Sequence, residues 1–181
     1  MNCDIIIRTS RHKEYIIRIF KKKGIKMNRI GIKKHKAQEL SSMLNDLLAN
    51  YQVFYTNVRG FHWNIKGEKF FELHVKFEEL YNDLNLKIDE IAERILTLGY
   101  EPEYRFSKYL QVSQIEEAVQ TSDGLKNVES ILDGLSLFIS KQRVILEKSG
   151  DANDEGTNGL MSDYIREQEK AIWMYSAFLN K

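Results

Sequence analysis

Apolar residues recur at steps of three and four along most of the chain, the spacing of helices that bury one face. Leu40, Met43, Leu44, Leu47, Leu48, Tyr51, Phe54, Tyr55, Val58 and Phe61 form a first stripe, which predicts a helix over 36–65. A second stripe runs through Phe70, Leu73, Phe77, Leu80, Tyr81, Leu84, Ile88, Ile91 and Ile95. Gly67 precedes it, and Gly99 with Pro102 just beyond gives a common helix stop. A third helix is expected from the Ser122-Asp123 cap to near Gly150, with Leu125, Val128, Ile131, Leu132, Leu135, Phe138, Ile139, Val144 and Leu146 inward. A loop over 151–156 and a fourth helix over 157–179 follow, the latter with Leu160, Ile165, Ile172, Trp173, Tyr175 and Phe178 on its apolar face. Residues 99–121 are too many for a tight connection between neighbouring helices. They hold a short apolar piece, 104–112, read as a small helix. The pattern is an all-α four-helix bundle with a long crossover between its second and third helices.

That crossover is the ferritin-like arrangement. The Glu-x-x-His motif of a di-iron centre inside one bundle occurs nowhere in the sequence, so a site between subunits is favoured over one within a bundle. The chemistry concentrates on the second stripe. His74, Glu78, Asp89 and Glu93 fall at about 0°, 40°, 60° and 100° around a helix, one face of it. His62 sits near the end of the first helix, with Trp63 beside it. Imidazole and carboxylate together suit a redox-capable divalent metal, iron included. Positions 74 and 89 are about 22 Å apart along the axis, whereas metal–ligand bonds are about 2.0–2.2 Å long. One chain therefore cannot place both on one ion. Two copies packed antiparallel about a twofold axis can, because the pairs 74/93 and 78/89 share one midpoint, between Asp83 and Leu84. The competing reading is a solvated face, with Glu90 and Arg94 as an ordinary i,i+4 ion pair and Trp63 as core packing.

Size and charge narrow the class. The chain has 181 residues with one proline and one cysteine, Cys3. That length suits one domain, and a lone cysteine excludes an internal disulfide and suits a reducing, cytoplasmic setting. No run of about 18 apolar residues is present, so no membrane span is expected. Residues 1–36 hold 12 Lys/Arg against 2 Asp/Glu, while the remainder holds 15 against 24. A basic N-terminal extension, expected to be flexible, is thus joined to an acidic bundle over 37–181. The first residues lack the apolar core of a signal peptide. Met27 is a plausible start, with 1–26 read as a translated upstream leader.

The run His62-Trp63, His74 twelve residues on, Glu78, then Asp89-Glu90-Ile91-Ala92-Glu93-Arg94 resembles the signature of the Dps family, the mini-ferritins known as DNA-binding proteins from starved cells. The resemblance covers roughly residues 40–179. It implies a hollow shell of twelve subunits built from dimers, with an iron-oxidising centre at the twofold interface. It assigns the iron ligands to His62, His74, Asp89 and Glu93. The position four after the second histidine, usually Asp in the family, is Glu78 here. Trp63 becomes a neighbour of the iron site able to donate an electron. The resemblance also places Asp151, Asp154, Glu155 and Asp163 near threefold pores that draw in Fe(II). The innermost pore aspartate common in the family falls on Gly159, a departure from its pattern. The implied function is oxidation of Fe(II), preferably by hydrogen peroxide, storage of the ferric mineral, and protection of DNA and cell from oxidative stress. The alternative is a structural protein that compacts DNA without regard to sequence through its basic arm, nucleoid-associated and with little oxidising activity. No groove-reading motif is present.

Overall fold

The computed structural model describes residues 26–119 and 122–181. Five helices follow one another: α1 (Lys34–Asn64), α2 (Phe70–Leu98), α3 (Phe106–Val112), α4 (Gly124–Ala152) and α5 (Glu155–Phe178). Among the described residues there is no strand, only two isolated bridges. The four long helices form the bundle, and α3 lies within the crossover against α1. One of the bridges, Lys66 with Asp123, ties the α1–α2 turn to the start of α4. This is the all-α bundle with long crossover that the hydrophobic pattern predicts. No described helix is long and apolar enough to cross a membrane.

Helix ends follow local chemistry. Gly99 closes α2 at φ 93°, a left-handed geometry that suits a residue without a Cβ. Asp123 caps α4 by accepting from the backbone N–H groups of Leu125 and Lys126. The loop expected over 151–156 is largely absorbed into helix. α4 runs on to Ala152, Asn153 turns at φ 53°, and Asp154 already caps α5.

The core centres on Tyr51, whose ring stacks on Phe138 at 4.1 Å and whose hydroxyl accepts hydrogen bonds from Gln142 and Gln168. Burial pushes the Tyr51 phenol well above its ordinary pKa, so the ring stays neutral. The inward face of α4 is Val128, Ile131, Leu135, Phe138, Gln142, Ile145 and Ser149. That is an even three-and-four rhythm interrupted by two polar residues. The interruption explains two corrections to the sequence reading: Leu125 and Val144, expected inward, face solvent, and Ile145 is buried in their stead. In α5 the inward row is Thr157, Met161, Tyr164 and Gln168, and Trp173 lies outside, 67 % exposed.

The described part of the basic extension belongs to the bundle. Lys34 donates its backbone N–H to Lys26, Asn28 reaches the carbonyl of Leu98 at 3.1 Å, and Ile32 is buried. The boundary drawn at 36/37 therefore falls inside α1. Cys3 and the rest of residues 1–25 lie outside the described residues.

Gly134 carries a close approach between α1 and α4, because a Cβ there would run into the edge of the Phe54 ring. Gly134→Ala is expected to cost about 1–3 kcal/mol through overpacking. Gly150→Ala, whose Cβ would meet only Asn158 at 3.8 Å, should be neutral or stabilising. Chemical denaturation midpoints of the two variants check this.

Candidate metal centre

α1 and α2 meet through a short turn in which Ile65 is buried and Gly67 adopts φ 99°. The turn brings His62, on the last turn of α1, against His74 near the start of α2. The two imidazoles stack with centroids 3.8 Å apart. Phe70 also stacks on His74, at 5.0 Å, and Tyr81 stands edge-on to His62 at 5.3 Å. Each histidine is bonded to the backbone of the other: His62 Nδ1 to the His74 carbonyl at 2.8 Å, and His74 Nδ1 to the His62 carbonyl at 2.9 Å. A carbonyl oxygen only accepts, so each Nδ1 carries its proton. That leaves Nε2 as the ring nitrogen that can bind a metal.

Glu78 is exposed one turn beyond His74, and the Tyr81 hydroxyl lies 3.5 Å from its Oε1. Burial and then the charge of Glu78 raise the Tyr81 pKa. Asp89 and Glu93 are exposed on the C-terminal half of α2. Their orientation follows from the residues between and beside them, which α5 holds. Tyr164 donates to Glu90 at 2.5 Å, and Arg94 binds Asp154 and reaches Thr157 Oγ1 at 2.9 Å. The expected Glu90–Arg94 pair is therefore not made; each of the two finds its partner on α5 or at its cap. A third tie was missed in the sequence. Lys87 is buried, paired with Asp83 at 2.5 Å and Glu167 at 2.8 Å, with its ammonium 5.1 Å from the centre of the Tyr164 ring. Burial depresses its pKa, but bonds to the two carboxylates outweigh this and hold it above the ordinary lysine value. Its position between Leu84 and Ile91 on the apolar stripe was the available signal.

Among the described residues, no three His, Cys, Asp or Glu side chains of one chain gather as a metal site. The structure unites His62 with His74 and leaves Asp89 and Glu93 about four turns further along the same helix. A single chain therefore carries two separate groups of candidate ligands, one of imidazole and one of carboxylate.

Trp63 is not core packing. It is 65 % exposed, with the Arg59 guanidinium 4.9 Å from its ring centre. The acidic residues around the α4–α5 turn also separate. Asp151, Glu155 and Asp163 are exposed, the last paired with Arg166 at 2.9 Å. Asp154 is 2 % exposed and fully engaged as the α5 cap and the partner of Arg94. This carboxylate, which the resemblance places near a pore, holds the start of α5 to α2. Gly159 is exposed, with open space around it.

The bundle, its crossover and the helix-borne carboxylates define a ferritin-like protein, and the ferritin-like domain family matches residues 41–181. A crystallised Dps protein from Vibrio cholerae, described as a ferritin-like diiron-carboxylate protein, superposes with a TM-score of 0.83 at 56 % identity, covering 84 % of this chain and 96 % of that one. An uncharacterized protein of Haemophilus influenzae is 54 % identical over 82 % of this chain and 92 % of its own length. The DNA protection during starvation protein of Porphyromonas gingivalis is 44 % identical over 83 % of this chain and 95 % of its own. The chain belongs to the Dps family of mini-ferritins.

Asp154→Ala removes a helix cap and strands the Arg94 charge, a loss expected at about 3–5 kcal/mol for a broken buried pair. Asp154→Asn keeps an oxygen for the cap and should cost clearly less. Denaturation of both variants measures the difference.

Proposed function

We propose that the protein oxidises Fe(II), with hydrogen peroxide as the preferred oxidant, and stores the ferric product inside a hollow shell of twelve subunits built from dimers. The observation that carries this reading is the histidine lock. Two imidazoles are fixed by mutual backbone bonds that leave Nε2 available to a metal, and among the described residues no carboxylate of the same chain gathers with them as a metal site. A site of this kind calls for oxygen ligands from elsewhere. An antiparallel copy of α2 offers them, because its register sets Glu93 opposite His74 and Asp89 opposite Glu78.

In this reading His62 and His74 hold one ferrous ion by nitrogen, and Asp89 and Glu93 of the partner subunit supply oxygen. Carboxylates also favour the ferric product, since anionic oxygen suits the higher charge. Glu93, with two carboxylate oxygens, would be the ligand able to serve both iron ions. Two ferrous ions and two protons convert one hydrogen peroxide to two waters, leaving two ferric ions and no hydroxyl radical. Glu78, with the longer arm, completes the ligand set or bonds to it. Asp151, Glu155 and Asp163, exposed in the single chain, would draw cations toward the interior of such a shell.

Several relatives are named for DNA protection during starvation. The basic residues of 1–36 fit contact with DNA phosphates, which would be independent of sequence and weakened by salt. A cytoplasmic, nucleoid-associated protein that removes both iron and peroxide agrees with that naming.

The double variant His62→Gly with His74→Gly tests the proposal. It should still assemble by size-exclusion chromatography, while Fe(II) oxidation by peroxide falls to near the rate of iron in buffer. Oxidation at the full rate would show that the histidines are not the site.

A further inference from the structure

The bundle carries a polar layer that the candidate metal centre does not use. α1 contributes Tyr51, α4 contributes Gln142, and α5 contributes Gln168 and Tyr164. Both glutamines bond to the Tyr51 hydroxyl, and the two tyrosine rings approach to 6.3 Å. α2 contributes Lys87, whose carbonyl lies 3.4 Å from the Tyr164 hydroxyl. Its ammonium is the cation of this layer, at the α2–α5 edge. Two carboxylates from two helices converge on it: Asp83 of α2 at 2.5 Å and Glu167 of α5 at 2.8 Å.

Lys87 is 4 % exposed, whereas the side chains of Asp83 and Glu167 are about half exposed. The cation is buried and solvent still reaches its carboxylates. Asp83 and Glu167 border a crevice of about 230 Å³ that Gln168 also lines. Gln168 is itself 4 % exposed, and its Oε1 has no hydrogen-bond partner. Two carboxylates aimed at one point repel each other unless a cation stands there. With an amide oxygen to spare and room for water, they form the kind of oxygen set that hard divalent ions take. Ferritin-like bundles can hold metal between facing helices in this way. Replacing nitrogen by a metal ion would shorten these contacts to about 2.0–2.2 Å, a movement of under an ångström. Among the described residues no third His, Cys, Asp or Glu completes a site with the pair.

We propose that Lys87 fills a divalent-cation site with its own ammonium and so keeps metal out of the interior of the chain. An empty carboxylate pair here would compete for ions with Asp89 and Glu93, on the same helix. A tethered ammonium is present at an effective concentration that dilute free metal does not match. Metal is thereby left to the outward face of α2, where the proposed oxidation takes place. Only this purpose, and not the site itself, rests on that reading.

The test uses the assembled protein carrying Asp89→Ala and Glu93→Ala, so that the outward face is silent. Mn(II) is titrated in, and the free ion is counted by electron paramagnetic resonance. Adding Lys87→Ala should create one further site per chain. Lys87→Gln, which keeps most of the bulk and brings another amide oxygen, should do the same. Glu167→Gln added to either should weaken the new site at least about tenfold, since even losses outside the ligand shell cost metal sites that much. n-Propylammonium, the part of the side chain that Lys87→Ala removes, should compete with Mn(II). Lys87→Arg, which keeps a cation, should add no site. A purely structural ion pair would lose stability in these variants and gain no metal. Folded Lys87→Ala and Lys87→Gln proteins that bind no more Mn(II) than the parent overturn the proposal. So does a parent protein whose Mn(II) binding already depends on Glu167. The readout is Mn(II) binding and not iron oxidation, so either result would leave the iron-oxidising reading standing.

Discussion

The rotational setting of α2 is the constraint on which the rest depends. One helix must satisfy its own bundle and still present ligands outward, and its inward polar residues decide how. Lys87 meets Glu167, Glu90 receives the Tyr164 hydroxyl, and Arg94 reaches Asp154 and Thr157, all on α5 or at its cap. These ties sit along one side of the helix for nearly two turns. Rotating α2 by one residue, about 100°, would break all of them and expose Leu84, Ile91 and Ile95. With that side held, Asp89 and Glu93 have nowhere to face but outward. At the other end, the stacked histidines and their two backbone bonds fix α2 against α1. The helix is therefore pinned at both ends, each by contacts beside a set of candidate ligands.

This arrangement explains why a metal-oxidising centre would be divided between chains. A bundle core built on Tyr51, Phe54, Phe138 and apolar neighbours offers a metal ion few ligand atoms. Burying several carboxylates there would be costly unless the metal were always present. Carboxylates on an outer face stay hydrated until a partner and an ion arrive. The histidines can be set partly inside in advance, because each ring has a backbone carbonyl as hydrogen-bond partner. The imidazole half is preorganised and the carboxylate half is carried on a rigid helix, so assembly alone would complete the site.

Much of this was legible in the sequence. The stripes of α1 and α2 are nearly unbroken, and their ends are marked by Gly67 and Gly99, so both helices and the outward setting of Asp89 and Glu93 could be read directly. α4 and α5 were read less well, because Gln142, Ser149, Thr157 and Gln168 occupy inward positions. A polar residue that is bonded inside the core looks like surface in a hydropathy pattern. The same blindness hid Lys87 and the bond of Asp154 to Arg94: a buried carboxylate or lysine is revealed by its partner, and the partner lies on another helix. For Trp63 the competing reading as core packing fails, since a cation and solvent surround the ring. Pairing of side chains at a distance is what sequence spacing alone does not carry.

The central claim, a site shared between two subunits, is tested most directly by mixing. Subunits carrying His62→Gly with His74→Gly and subunits carrying Asp89→Ala with Glu93→Ala are unfolded together and reassembled, and peroxide-driven Fe(II) oxidation is measured against each alone. Each variant alone should be inactive. In a mixed dimer one site collects all the substitutions and the other is intact, so random pairing should restore about a quarter of the wild-type sites. Mixtures that stay as inactive as the separate variants would contradict a divided site and place the ligands within one chain.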